Sequence, residues 1–260
     1  MANTPVVVLD DTLTNIANAI RGKNGSSDKY KPGQMAAAID NISAGGVGIP
    51  REVIDGVYKM PEITSFSLPS NATNVGQRAL EHAFYSCPSL TSADLSSLTA
   101  VSGEQALYNA FQDCNKLTSV DLSSLTTVSG DSAFNYAFGY CGKLTSIIFS
   151  SLTTVSGIGS FNNAFYYCDA LTSVEFSSLS TLTGAQALYS AFFQCNKIKS
   201  LSFPALTVDS FGSTVNQFEN MLYRVDGCTV HFPAAIQAKI ETMTGYPNFG
   251  GTNTTVLFDL

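Results

Sequence analysis

Residues 110–136 read A-F-Q-D-C-N-K-L-T-S-V-D-L-S-S-L-T-T-V-S-G-D-S-A-F-N-Y, and this stretch is rewritten along most of the chain. Cys87, Cys114, Cys141, Cys168 and Cys195 stand 27 residues apart. Phe84, Phe111, Phe138, Phe165 and Phe192 keep the same step. So do Leu90, Leu117, Leu144, Leu171 and Ile198, and then Leu95, Leu122, Phe149, Phe176 and Phe203. An unbroken period between roughly 20 and 50 residues marks a solenoid. The copies run over 56–82, 83–109, 110–136, 137–163, 164–190 and 191–217. The first carries Val57 in the Phe place and Met60 in the Cys place.

One copy can be folded from its pattern. Leu117, Val120 and Leu122 give L-x-x-V-x-L, and the alternation of Val120 with Leu122 predicts a short strand with both side chains inward. Leu125 and Val128 continue the lining, and Ser129-Gly130 turns the chain. Ala133, Phe134, Ala137, Phe138 and Cys141 recur near helical spacing, which predicts one or two helical turns closing the coil. A single coil cannot bury these side chains, whereas a stack of coils can.

The repeat resembles the leucine-rich repeats of the BspA or Treponema type, found in bacterial surface proteins. The resemblance covers about two thirds of the chain and implies an α/β leucine-rich-repeat solenoid. Family repeats are usually a few residues shorter, and their proline after the strand stands here only as Pro69 and Pro204. The added residues fall around Gly103-Glu104, Gly130-Asp131, Gly157-Ile158 and Gly184-Ala185.

The rest of the chain divides around the array. Leu13, Ile16, Ala17 and Ile20 share one helical face, as do Met35, Ala38, Ile39 and Ile42 after Pro32, which predicts a helical hairpin over 1–43. Residues 44–55 hold a Gly-rich linker and lead-in, 56–227 the solenoid and 228–260 a C-terminal cap. In the cap, Val230–Phe232 restates the strand, Ala235–Met243 suggests a closing helix and Thr254–Phe258 a last strand. The segment from Ile16 to Ile39, I-A-N-A-I-R-G-K through P-G-Q-M-A-A-A-I, resembles an N-terminal module of phage tail and baseplate proteins of gut bacteria. That resemblance implies attachment to a larger assembly.

Composition limits the functions open to such a chain. Net charge is −7 and only 13% of residues are charged, so there is no electrostatic footprint for nucleic acid. No apolar run approaches the roughly 18 residues of a membrane helix. The first residues lack a basic n-region. Five of the six cysteines share one repeat position, so neighbouring thiols stack with parallel Cβ vectors, a poor geometry for disulfides. Buried free thiols are expected, and no Cys/His spacing suits zinc.

No catalytic constellation appears: there is no G-x-S-x-G, H-E-x-x-H or phosphate loop, and His82 and His231 stand apart. The expectation is a protein without enzymatic activity, metal or cofactor. Stacking creates two candidate surfaces instead. The first is aromatic: Tyr108, Tyr136, Tyr140, Tyr166, Tyr189 and Phe193 flank the inward Phe column, with Tyr136/Tyr140 and Tyr189/Phe193 at i, i+4. It is either a recognition stripe for a protein or surface glycan, or lateral packing between coils. The second is the exposed strand face, where Ser67, Asp94, Asp121, Ile148, Glu175 and Ser202 form a column. Asp94, Asp121 and Glu175 there could meet a cation, or form a solvated face.

The function expected is extracellular recognition on a virion or cell surface. A phage tail or baseplate component touching the host is one form. A surface adhesin of the BspA type, binding host protein or glycan, is the alternative.

Overall fold

A computed structural model describes residues 64–260 apart from 69, 71 and 214. The expected hairpin over 1–43, the linker and the phage-like motif lie outside the described residues.

The coils stack in register. Their first strands are β1 (Ser65–Ser67), β3 (Ser92–Asp94), β5 (Ser119–Asp121), β7 (Ser146–Ile148) and β9 (Ser173–Glu175), which form one parallel sheet. A second parallel sheet contains the two-residue strands β2 (Asn74–Val75), β4 (Ala100–Val101), β6 (Thr127–Val128), β8 (Thr154–Val155) and β10 (Thr181–Leu182). Every first strand after β1 has its middle residue buried between two outward ones, as alternation predicts. The threonines of L-T-S and L-T-T hold the corners. Thr118 donates both its N–H and its hydroxyl to the carbonyl of Thr91, and Thr126 does the same to Thr99.

The third side of each coil is not the helix that the apolar spacing predicts. Over 131–140 the backbone runs as a chain of turns in which alternate N–H groups have different partners. Asn135, Ala137, Gly139 and Cys141 donate three residues back, closing successive turns. Ser132, Phe134, Tyr136, Phe138 and Tyr140 donate across to Ile158, Ser160, Asn162, Ala164 and Tyr166 of the next coil, at 2.6–3.1 Å. Every fourth residue takes positive φ: Ser132 at 52°, Tyr136 at 52° and Tyr140 at 60°. Turns of type II, which place positive φ at their second central residue, therefore alternate with turns lacking it. The apolar pairs Ala133-Phe134 and Ala137-Phe138 face inward and are buried, Asn135 and Tyr136 are half-buried, and Tyr140 is exposed. This is a turn ribbon with a four-residue period, and the array is a β-solenoid rather than an α/β one. The one α-helix among the described residues is α1, Gln237–Ile240.

Stacked columns fill the interior. Phe84, Phe111, Phe138, Phe165 and Phe192 pile at centroid steps of 5.1, 5.6, 5.6 and 5.4 Å, tilted no more than 9° from one coil to the next. Phe149, Phe176, Phe203 and Phe232 form another such pile. Burying one such side chain contributes roughly 1.5–3 kcal/mol.

The thiols are buried and unbridged. Cys114, Cys141, Cys168 and Cys195 donate to the carbonyls of Phe84, Phe111, Phe138 and Phe165, at 3.0–3.1 Å. At the ribbon entrance Gly103, Gly130, Gly157 and Gly184 form a column. A methyl on any of them would sit inside the backbone of the glycine one coil before.

The last coil is longer. Ser200 of β11 (Ser200–Ser202) pairs with Thr229 of β12 (Thr229–His231), two residues beyond the usual step. β13 (Thr255–Leu257) joins β12, and these three strands form a separate sheet.

Candidate functional site

The ribbon places the aromatic residues on adjacent columns. Tyr166 and Phe193 share one column, with centroids 4.5 Å apart and planes 23° apart, and Tyr223 follows at 5.3 Å from Phe193. Tyr140 and Tyr167 share the next column at 5.3 Å and 12°. Tyr136 meets Tyr166 edge-on at 5.4 Å, and Tyr140 meets it edge-on at 5.3 Å. The structure thus brings together Tyr136, Tyr140, Tyr166 and Phe193. Tyr136 and Tyr140 meet rings of the next coil, so contact between coils replaces the expected i, i+4 helical pairing. Tyr108 meets His82 at 5.5 Å and, like Tyr189, is near enough to Tyr136 to help raise its phenol pKa. Tyr189 is half-buried in Tyr108's column, its carbonyl accepting the Asn163 N–H.

Ring geometry limits what this patch can do. Near-parallel rings about 5 Å apart cannot lie side by side in one plane, because they would overlap. They are piled, with their faces toward one another and their edges outward. The edge of an aromatic ring is its electropositive rim. Tyr140 at 39% and Tyr223 at 42% exposure present most. At the end of the pile the Arg224 guanidinium lies 5.8 Å from the Phe193 centroid and 5.9 Å from that of Tyr223. Burial raises the phenol pKa of Tyr136 and Tyr166. Arg224 and Tyr223 escape a reading in steps of 27, because the longer last coil displaces them.

The strand face holds its acidic residues in the expected register. Asp94 lies beside Asp121, Asp121 beside Ile148, and Ile148 beside Glu175. Two of these carboxylates are engaged locally. Asp94 accepts from the Ser96 hydroxyl at 2.6 Å, the Ser96 N–H at 3.0 Å and the Ser67 hydroxyl at 3.0 Å. The Ser96 hydroxyl is the largest cause of its lowered pKa. Asp121 accepts from the Ser123 N–H at 2.9 Å. The Glu175 carbonyl accepts the Phe149 N–H at 3.3 Å, but its carboxylate makes no hydrogen bond or ion pair to another described residue. Among the described residues no group of three or more His, Cys, Asp or Glu is placed to hold a metal ion.

Glu175 borders a depression of about 640 Å³ where β9 meets β11. Ile148, 46% exposed, lines it with Pro204, and Ser146, Ser173 and Ser202 add hydroxyls. The five-stranded sheet ends at β9 and the three-stranded one begins at β11, so the hollow opens over a seam between sheets. In the sequence Ile148 reads as an interruption of a polar column. In the structure it is the apolar part of the hollow.

No helix among the described residues is long and apolar enough to cross a membrane. No curated protein matches the sequence. Solved structures similar to it include the following three. The leucine-rich-repeat protein of T. pallidum shares 19% identity over 74% of this chain and 72% of its own, with a TM-score of 0.36. A leucine-rich cell surface protein of Faecalibacterium prausnitzii shares 15% over 77% and 62%, with a TM-score of 0.25. Internalin C2 of Listeria monocytogenes shares 13% over 85% and 92%, with a TM-score of 0.32. The BspA type leucine rich repeat region matches in six copies over residues 55–137 and 133–226, a stretch that takes in strands β1 to β11, and the chain belongs to that family.

Proposed function

We propose that the chain is a non-enzymatic recognition protein of the bacterial exterior that holds a polypeptide partner in the hollow over Ile148, Glu175 and Pro204. The family supports the class, since its members are generally binding proteins, typically at the surface or secreted. This is the adhesin reading of the sequence. The observation that carries the site is an exposed aliphatic side chain beside a carboxylate with no partner, inside a depression of ligand size. Asp94 and Asp121 are occupied by serines, whereas Glu175 is free to pair. A segment presenting a cationic side chain next to an apolar one fits: the cation meets Glu175 and the apolar group covers Ile148.

Arrayed peptides that place Lys or Arg beside Leu, Phe or Tyr test the site. Affinity should fall about tenfold or more in both Ile148→Ser and Glu175→Gln, a loss of roughly 1.4 kcal/mol, with thermal stability unchanged. A ligand held equally by the parent and both variants would place the contact elsewhere. The finer reading, a phage tail or baseplate component, rests on the Ile16–Ile39 motif, which precedes the family match. Tail and lysis genes flanking the coding sequence would support it, and unrelated neighbours would remove it.

A further inference from the structure

Beyond the strand-face hollow, the cations of the array are unevenly placed. Lys116, Lys143 and Lys197 each stand two residues after a column cysteine, at the corner where the ribbon gives way to the strands, and all three are exposed. Lys199 is nearby in sequence and also exposed. Arg224 occupies the ribbon place held by Gln194, Tyr167 and Tyr140 in earlier coils, with the same positive φ. Only Arg78 and Lys239 stand elsewhere among the described residues. None of the five corner cations is in an ion pair. The pairs present are Arg78–Glu81 and His231–Asp259, and the Lys199 ammonium donates to the Asp226 carbonyl at 2.7 Å. Lys116 and Lys143 are one coil apart, about 4.8 Å along the stack, and Lys143 and Lys197 about twice that. A chain of net charge −7 therefore keeps an unpaired row of like charges along one corner. In neighbouring ribbon places stand Tyr140 and Tyr223, 39% and 42% exposed, and the half-exposed Tyr167.

We infer that this corner is a second binding surface whose ligand is an anionic polysaccharide lying along the stack. Cations, electropositive ring edges and phenol O–H groups all favour acceptor-rich, negatively charged partners. Within the piles the ring faces are turned to one another, so recognition along them rests on hydrogen bonds and charge. Asp113, Asp169 and Asp226 are interleaved with the cations and exclude a densely charged polymer such as nucleic acid. A chain of sugars with a carboxylate on every residue or two suits this mixture. Its carboxylates meet the cations, and its hydroxyls donate to the aspartates and accept from the phenols. One coil advances by about the length of one sugar ring, so a repeating ligand meets a repeating site.

Polygalacturonate titrated into the full chain at low salt is the test, with neutral dextran and poly-glutamate as comparisons. Polygalacturonate should bind, weaken as salt is raised, and lose about tenfold or more in affinity in a Lys143→Gln/Lys197→Gln/Arg224→Gln variant. These side chains are exposed, and an unchanged melting curve verifies the fold. Dextran should not bind, and poly-glutamate should bind at least about tenfold more weakly than polygalacturonate. The hollow variants Ile148→Ser and Glu175→Gln should leave polygalacturonate binding unchanged, which separates this surface from the one proposed above. Absence of binding at low salt, equal binding by the triple variant, loss of binding in the hollow variants, dextran binding, or poly-glutamate binding as tight as polygalacturonate would each overturn the inference.

Discussion

At the scale of the residue, spacing between coils decides which substitutions are tolerated. Gly157 packs on the Gly130 carbonyl with no room for a methyl, whereas a methyl on Gly142 meets open space. Gly157→Ala should therefore cost about 3 kcal/mol or more, the upper part of the range for overpacking. Gly142→Ala should stabilise by roughly 0.4–1 kcal/mol by restricting the unfolded chain. Urea titrations of the two variants distinguish them, and equal midpoints would contradict the glycine column. The thiols make a second prediction. Burial is the largest cause of raised pKa at Cys114, Cys141, Cys168, Cys195 and Cys228, the last pushed up to about 11 from an ordinary 9.0. A raised folded pKa means that unfolding releases protons once the pH passes the unfolded value. Their contribution is complete below about pH 9 and declines above it, by up to about 1.4 kcal/mol per pH unit for each thiol. Unfolding midpoints should hold steady from about pH 7 to 8 and drop beyond 9, with a shallower drop in Cys168→Ala. The cysteine column and its freedom from disulfides are legible in the 27-residue spacing, because parallel side chains on neighbouring coils cannot satisfy disulfide geometry. The hydrogen bond from each thiol to a phenylalanine carbonyl is not legible there, since it depends on where the ribbon turns.

At the scale of the element, the ribbon is where sequence and structure part. Ala133, Phe134, Ala137, Phe138 and Cys141 fit a helical face over so short a span, and a four-residue period diverges from 3.6 only over a longer one. The deciding signal is weak in sequence, because Gln105, Asn109 and Asp113 occupy positive φ in one coil and Ser132, Tyr136 and Tyr140 in the next. An ordinary side chain in that conformation costs roughly 1–2 kcal/mol, offset here by the hydrogen bonds that each turn directs to its neighbour. Gly159 already stands in the ribbon place of Ser132 one coil on. Ser132→Gly should accordingly stabilise by up to about 1 kcal/mol and Gly159→Ala should destabilise by roughly 1–2 kcal/mol. Thermal melts showing the opposite order would reject the positive-φ assignment. The inward and outward sides separate in the same way. Phe138→Ala, within the pile of rings, should cost about 3–5 kcal/mol. Tyr140→Ala, at the exposed edge, should cost much less, and matching losses in denaturant titrations would sink the distinction.

At the scale of the whole molecule, the repeat, its length and the strand register follow from the sequence because a column of Leu, Phe and Cys has few ways to be buried. The strand-face column of Asp94, Asp121, Ile148 and Glu175 is legible for the same reason. The hollow beside it is not, because it depends on a seam between sheets and on Pro204, which no single copy announces. Tyr223 and Arg224 are hidden by the longer last coil. The stack also has a mechanical character. Its sheet and ribbon hydrogen bonds run from coil to coil, roughly along the axis. A molecule clamped at one end and pulled at the other therefore loads each interface in series, as links of a chain. Each coil that detaches would release 27 residues of slack, roughly 90 Å of extended chain. A tether of this kind would lengthen in even steps under tension, dissipating force one coil at a time while the coils still stacked keep their grip.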